Sequence, residues 1–157
     1  MRKQIIDQVT PTASPAAQNW LDLNQLAKVE LTSEDEAHPI EEALITDNGT
    51  GWMAAQAGKQ TIRIVFDAPQ KINHILLSFI EKKQARTQEF VLRWLPVGGS
   101  SYKEIVRQQY NFSPPQTIEE QEEYAVNLEQ VINIELTINP TISGGTASAT
   151  LAKLRMR

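Results

Sequence analysis

The residues with the clearest chemical potential form the loop Asp47-Asn48-Gly49-Thr50-Gly51-Trp52. This loop combines a carboxylate, an amide, a hydroxyl and two glycines directly before a tryptophan. Its oxygens could begin a site for a hard cation such as calcium, which takes roughly six to eight oxygen ligands. The tryptophan ring could stack on the apolar face of a sugar or on a base. By composition alone, Asp-Asn-Gly is also a common turn.

Catalytic chemistry has few candidates in this chain. Its 157 residues include two histidines and no cysteine, which excludes disulfides, a thiol nucleophile and Cys-ligated zinc. No serine-hydrolase, P-loop or zinc-protease motif is present. His74 lies in an apolar strand pattern and His38 precedes Pro39, so both favour structural roles. The acidic runs at 34–36 and 119–120 are typical of solvated loops, and we predict a protein that is not an enzyme.

The formal net charge of −4 hides an uneven distribution. Residues 51–117 contain nine basic and four acidic residues, whereas the segments on both sides are acidic. Solvated strand faces explain this pattern, and a local anion-binding surface is the alternative. Such a surface would use Lys82, Lys83, Arg86, Arg93 and Arg107. The overall negative charge argues against extensive sequence-independent binding of phosphates.

Alternating hydrophobicity predicts the elements that position these residues. Apolar residues recur at every second position in stretches such as 27–31 and 62–66, which is typical of half-buried strands. Further strand-like stretches lie at 72–80, 89–94, 102–112, 132–138 and 147–156. Turn residues separate them at 47–51, 57–59, 67–69, 96–100, 113–115 and 143–145. We therefore predict an all-β fold, an antiparallel β-sandwich or jelly roll of about eight strands, with one short helical turn at 39–44.

The first 26 residues predict a strap or tail in front of a single β-sandwich domain at 27–157. Residues 1–19 contain Pro11 and Pro15 and have no apolar period. Asp7 interrupts the only stretch that begins like a signal peptide, and no apolar run approaches the roughly 20 residues of a membrane helix. We predict a soluble, cytoplasmic protein with no membrane partner.

The order of these segments resembles that of discoidin domains, also called coagulation factor 5/8 C-type domains. The resemblance covers about residues 27–157. It comprises the strand 27–33, the helical turn and Asp47-Asn48-Gly49-Thr50-Gly51-Trp52 loop of 38–52, the paired apolar stretches around Asp67-Ala68-Pro69 at 60–77, the strands 88–94 and 102–106, and the ending at 131–136 and 151–155. A shorter stretch, 52–62, resembles the N-terminal domain of the X-ray repair cross-complementing scaffold protein, which shares the galactose-binding-like jelly roll.

The discoidin resemblance implies a non-catalytic module whose loops at one end of the sandwich hold a ligand. It implies a structural calcium ion at Asp47, Asn48 and Thr50. The family commonly adds a glutamate from the final strand, and the matching Leu151-Ala152-Lys153-Leu154 contains no acid. The absence of the bridging cysteines of secreted members agrees with an intracellular setting.

Polar and aromatic residues near the loops are the predicted ligand contacts: Asn48, Trp52, Arg86, Gln88, Arg107, Gln109, Tyr110 and Asn111. The predicted ligand is a carbohydrate or a related small polar molecule. A core position for Trp52 is the alternative to a stacking platform. Two other functions stay open: a protein-interaction or oligomerising scaffold bridged by residues 1–26, and a nucleic-acid-binding module that uses the basic middle segment.

Overall fold

A computed structural model describes residues 19–157 as eight β-strands and two one-turn helices. The elements are α1 (Leu23–Leu26), β1 (Ala27–Leu31), α2 (Glu41–Leu44), β2 (Trp52–Ala57), β3 (Gln60–Ile80), β4 (Arg86–Pro96), β5 (Lys103–Phe112), β6 (Glu119–Asn139), β7 (Ser148–Leu151) and β8 (Lys153–Met156). The predicted antiparallel jelly-roll β-sandwich is confirmed. Within the described residues, neither helix has the length and apolar character needed to cross a membrane.

Two long strands, β3 and β6, organise the sandwich. They pair antiparallel twice, first between residues 60–65 and 133–138 and again between 74–80 and 119–125. The register shifts three times between these stretches, which bends both strands as bulges do. The main sheet has the order β1-β3-β6-β4-β5, and β8 pairs with the second half of β3. Strands β2 and β7 form a separate two-stranded sheet.

The core lies between the layers that these bends create. Ile62, Ile64 and Phe66 point inward from β3, as their alternation predicted. Phe79 from the second half of β3 packs on Phe90 of β4 with ring centroids 5.1 Å apart. This contact joins the two halves of the sandwich, because β4 pairs only with the later half of β6 and with β5.

Two sequence-based expectations about loops were wrong. The predicted turn at 67–69 is a bulged bend inside β3, because the register shifts let the strand change direction without leaving the sheet. The acidic pair at 119–120 was expected in a solvated loop, but it begins β6. Pairing with Phe79 and Ile80 places Glu119 outside and Glu120 inside. A partner strand far away in sequence overrides the local acidic signal here.

The predicted helical turn corresponds to α2. Glu41 and Glu42 occupy its first turn, where negative charge is favourable. The backbone N–H of Ile40 donates to Oε1 of Glu34 at 2.9 Å, which satisfies one of the free groups at the start of the helix. Ala43 and Leu44 are buried, so α2 is anchored to the core directly before the Asp47-to-Trp52 loop.

The N-terminal segment is described from Asn19 onward, and residues 1–18 of the predicted strap lie outside the described range. Leu23 is buried, and the backbone N–H of Leu21 donates to the carbonyl of Met156 at 2.7 Å. Leu21 therefore connects this segment to the end of β8, and α1 packs beside β1 and β3. The predicted role of the strap in self-association stays a prediction.

Candidate ligand-binding cleft

A cleft of about 610 Å³ lies where two loops and one strand meet. One wall comes from the loop between α2 and β2, a second from the connection between β3 and β4, and a third from β7. Its polar lining includes Thr50, Lys82, Lys83, Gln84, Ser148 and Thr150. The volume is within the usual range of about 300–1,000 Å³ for small-ligand sites.

Trp52 forms the floor of the cleft rather than an exposed platform. Its residue exposure is 1%, and its indole Nε1–H donates to the carbonyl of Ser33 at 3.1 Å. The prediction that Trp52 stacks on a ligand is therefore corrected: the residue is almost completely buried and has the core position that was the alternative. Gly51 holds the preceding loop against β7, because it has a φ of 79° and a Cβ there would lie 2.9 Å from the carbonyl oxygen of Leu151.

The connection between β3 and β4 is fixed by the carboxylate of Glu81. Arg86 Nε donates to Oε1 of Glu81 at 2.7 Å, and the backbone N–H of Lys83 donates to Oε2 at 3.0 Å. Burial alone would raise the pKa of Glu81. The hydrogen bonds from Arg86 and the backbone outweigh burial and hold that pKa below its usual value.

Arg86 and Gln88 lie behind the cleft, and their predicted role as accessible ligand contacts is corrected. The Arg86 side chain is 1% exposed. Its Nη1 donates to the carbonyl of Pro140 at 2.9 Å and to Gln88 at 3.2 Å, and its guanidinium lies over the ring of Phe112. Gln88 is fully buried. Both residues support the loop through buried polar contacts.

Four of the five remaining predicted contacts lie on β5, outside the cleft. Arg107 pairs with Glu89 and Glu104, and Gln109 donates to Glu89 at 3.1 Å. Asn111 Oδ1 accepts from the hydroxyl of Thr87, and the Tyr110 hydroxyl donates to the carbonyl of Glu119. These bonds connect β5 to β4 and to the start of β6. The structure therefore buries three of the predicted ligand contacts (Trp52, Arg86 and Gln88), places four on β5 and leaves Asn48 exposed in the loop before β2, outside the cleft lining.

The residues of the expected calcium site do not fit a metal ion, because Arg155 of β8 already supplies the positive charge. Its Nη1 donates to the carbonyl of Ala43 at 2.8 Å, and its Nη2 donates to that of Thr46 at 3.1 Å. Nη2 also lies 3.7 Å from Oδ1 of Asp47. Burial lowers the pKa of Arg155. A guanidinium among these oxygens repels a second cation.

The other two predicted metal ligands are also poorly arranged for calcium. Asn48 is exposed and has a φ of 56°, and Thr50 is exposed at the cleft. Residues 19–157 contain no cluster of three or more acidic or histidine side chains suited to a metal. Arg155 directly follows the stretch Leu151-Ala152-Lys153-Leu154 that lacks the expected acid, and it is this arginine that reaches the loop.

The basic middle segment does not form one continuous surface. Lys82 and Lys83 line the cleft, whereas Arg86 is buried against Glu81. Arg93 lies 3.5 Å from Glu135, and Arg107 forms salt bridges with Glu89 and Glu104. Salt bridges to glutamates neutralise these three arginines. The segment therefore gives no support to a nucleic-acid partner.

A wider depression of about 730 Å³ follows β1 and the start of β3. Its arginine, Arg63, is held by Glu135 at 2.9 Å and by Glu30 at 3.3 Å. The hydrogen bonds that Arg63 donates to Glu135 and to Glu30 raise the pKa of Arg63 despite burial. The charged side chains that line this depression are already paired with one another. The three-sided cleft is therefore the better candidate site.

His38 is a cleft residue for which the sequence favoured a structural role and left a ligand contact as the alternative. Its side chain is 33% exposed, and Nδ1 lies 3.9 Å from Oδ2 of Asp35. That nitrogen is buried and has no hydrogen-bond partner among the described residues. The sequence signal that could have suggested the cleft is the charged triplet Glu81-Lys82-Lys83 directly after an apolar strand.

No protein-family profile and no curated protein sequence matches the chain. Solved structures do match its fold. The family 32 carbohydrate-binding module of C. perfringens NanJ in complex with galactose superposes with a TM-score of 0.63 at 12% identity, covering 87% of this chain and 96% of that one. A pectin-binding carbohydrate-binding module matches with a TM-score of 0.60 at 17% identity, covering 85% and 91%.

A third match is a Clostridium perfringens module, CpGH89CBM32-5, in complex with GalNAc-β-1,3-galactose. Its TM-score is 0.60 at 14% identity, covering 88% of this chain and 99% of that one. The chain therefore shares the jelly-roll β-sandwich fold of these carbohydrate-binding modules.

Proposed function

We propose that this chain is a non-catalytic carbohydrate-binding module that takes its sugar in the three-sided cleft. The observation that carries the proposal is the cleft itself, which presents hydroxyl, amide and ammonium groups on a rigid sandwich. The structural neighbours bound to galactose and to GalNAc-β-1,3-galactose support this class of ligand. Function itself is argued from the site, because one fold hosts many activities.

The lining suits a polyhydroxylated ring. The hydroxyl of Thr50 and the amide of Gln84 offer donors and acceptors for sugar hydroxyls. Ile80, which is 37% exposed, offers an apolar surface for ring C–H groups. Because Trp52 is covered, affinity in this cleft depends more on hydrogen bonds than on aromatic stacking.

The lining also explains why we propose binding without hydrolysis. Glycosidases generally use two carboxyl groups on opposite sides of the scissile bond. Among the described residues, Glu81 is the one carboxylate that lines the cleft, and both of its oxygens already accept hydrogen bonds. A group held in this way is unsuited to deliver or accept a proton.

The test is a glycan array followed by calorimetry with the best sugars. A Thr50→Ala/Gln84→Ala variant should lose about tenfold or more in affinity, since each lost hydrogen bond contributes about 1 kcal/mol. A Gln109→Ala/Asn111→Ala variant on β5 is the matched control and should bind normally. Loss only in the β5 variant would move the site to β5. Absence of binding to every sugar would contradict the proposed function.

A further inference from the structure

We infer that the cleft selects acidic saccharides, whose rings carry a carboxylate or a sulfate. This inference rests on the proposed function and specifies its ligand class. Two exposed lysines, Lys82 and Lys83, line the same cleft as the polar side chains of Thr50 and Gln84. An ammonium group is a strong donor to an anionic oxygen, whereas the hydroxyl and amide groups match the rest of a sugar ring.

The charge that could oppose these lysines is already neutralised. Glu81 is the one acidic residue in the described lining, and its Oε1 accepts from the buried Nε of Arg86 at 2.7 Å. Because this pair cancels its own charge, Lys82 and Lys83 determine the sign of the cleft. By contrast, Lys28 pairs with Glu30 at 3.8 Å and Lys71 pairs with Glu129 at 3.2 Å.

The same carboxylate also holds the backbone that carries the lysines. Oε2 of Glu81 accepts from the backbone N–H of Lys83 at 3.0 Å. Arg86 is anchored in turn to the carbonyl of Pro140 and to Thr150, a residue of the opposite cleft wall. The chain at 82–83 is thus fixed while both ammonium groups stay in solvent, so little ordering of the loop is needed when an anion binds.

The expected size of the effect follows from exposed ion pairs. Each such pair contributes modestly, so two lysines together should favour an acidic over a neutral sugar by about tenfold at low salt. Screening should reduce this preference as ionic strength rises. A preference that came from hydroxyl contacts alone would not depend on salt in this way.

The experiment compares matched ligands by calorimetry at low and high sodium chloride. One pair is tetragalacturonate and its full methyl ester, and the other is a sulfated galactan oligosaccharide before and after desulfation. The variants are Lys82→Gln/Lys83→Gln, the charge-preserving Lys82→Arg/Lys83→Arg, and the control Lys28→Gln on β1, which is exposed and distant from the lining.

We expect the acidic member of at least one pair to bind about tenfold more tightly than its neutral counterpart. The glutamine variant should lose that preference, whereas the arginine variant and the control should keep it. The responding pair distinguishes carboxylate from sulfate. Equal binding of acidic and neutral members, or a preference unchanged in the glutamine variant, would overturn the inference and leave the proposed function standing. Absence of binding to all four sugars, together with the array, would remove both.

Discussion

Gln88 Nε2 donates to Oε1 of Glu120 at 3.1 Å in the interior of the sandwich. Both residues are at most 1% exposed, and Oε2 of Glu120 has no hydrogen-bond partner among the described residues. The bond connects β4 to the first half of β6, across the same interior as the contact between Phe79 and Phe90. It places a carboxyl group where its charged form is poorly solvated.

This burial makes the stability of the protein dependent on pH. Burial, and secondarily the charge of Glu122, raises the pKa of Glu120 from 4.5 to about 7. Between these values the folded state holds a proton that the unfolded chain releases, so the free energy of unfolding falls as pH rises from 4.5 to 7. The expected loss is at most about 3 kcal/mol, measured by denaturant unfolding from pH 5 to 8.

The variant Glu120→Gln should remove most of this slope and be more stable than the wild type at pH 8. Glu119→Gln is the matched control, because Glu119 is the exposed neighbour on β6. A slope that is unchanged in Glu120→Gln, or that is removed equally by Glu119→Gln, would show that another group titrates.

Arg155 should contribute strongly to the stability of the protein, because it connects β8 to α2 and to the loop that follows α2. Its guanidinium satisfies the carbonyl of Ala43 in α2 and that of Thr46 just after the helix. Arg155→Met should leave these groups unpaired and cost about 2–3 kcal/mol of unfolding free energy. Arg157→Met, which removes an exposed guanidinium lying over Trp20, should cost less than about 1 kcal/mol. Equal losses in chemical denaturation would contradict the role of Arg155.

Calcium should not stabilise the wild-type protein, because Arg155 occupies the oxygen cluster. We expect the same melting temperature with millimolar calcium and with a chelator. Arg155→Glu should reverse this behaviour by placing a carboxylate beside the oxygens of Ala43, Thr46 and Asp47, giving a less stable protein that calcium partly restores. Calcium-dependent melting of the wild type would show that the loop does bind the ion.

Trp52 should contribute to folding and not to ligand contact. Trp52→Phe should lose the hydrogen bond to Ser33 and some core packing, at a cost of about 1–3 kcal/mol. Trp94→Phe, at a half-buried position, is the matched control and should cost less. The folded fraction of Trp52→Phe should bind sugar with wild-type affinity in calorimetry. A clear loss of affinity without loss of stability would restore the stacking role.

Gly51 should be far less tolerant of a side chain than Gly58. Both have positive φ, 79° and 94°. A Cβ at Gly51 would lie 2.9 Å from the carbonyl oxygen of Leu151, whereas a Cβ at Gly58 would meet nothing within 4 Å. Gly58→Ala should therefore cost about 1 kcal/mol of backbone strain, and Gly51→Ala clearly more. Similar melting temperatures for the two variants would contradict the close approach of the loop to β7.

Local pattern was sufficient to predict much of this architecture. Alternation at Ile62, Ile64 and Phe66 predicted an inward face because side chains of a strand alternate between its two sides. Pro39 and two following acids predicted the turn of α2. The absence of cysteine and the two isolated histidines excluded whole classes of chemistry before any fold was known. These features depend on neighbours within a few residues.

The candidate site required the tertiary structure, because its groups come from distant segments. The sequence places Glu81 and Arg86 in a basic stretch, but only folding buries the arginine and turns the pair into a support for Lys82 and Lys83. Arg155 lies more than a hundred residues from the loop that it holds. Whether Glu120 is solvated or buried depended on its pairing with Phe79 in β3, and burial is what changes the chemistry of a carboxyl group.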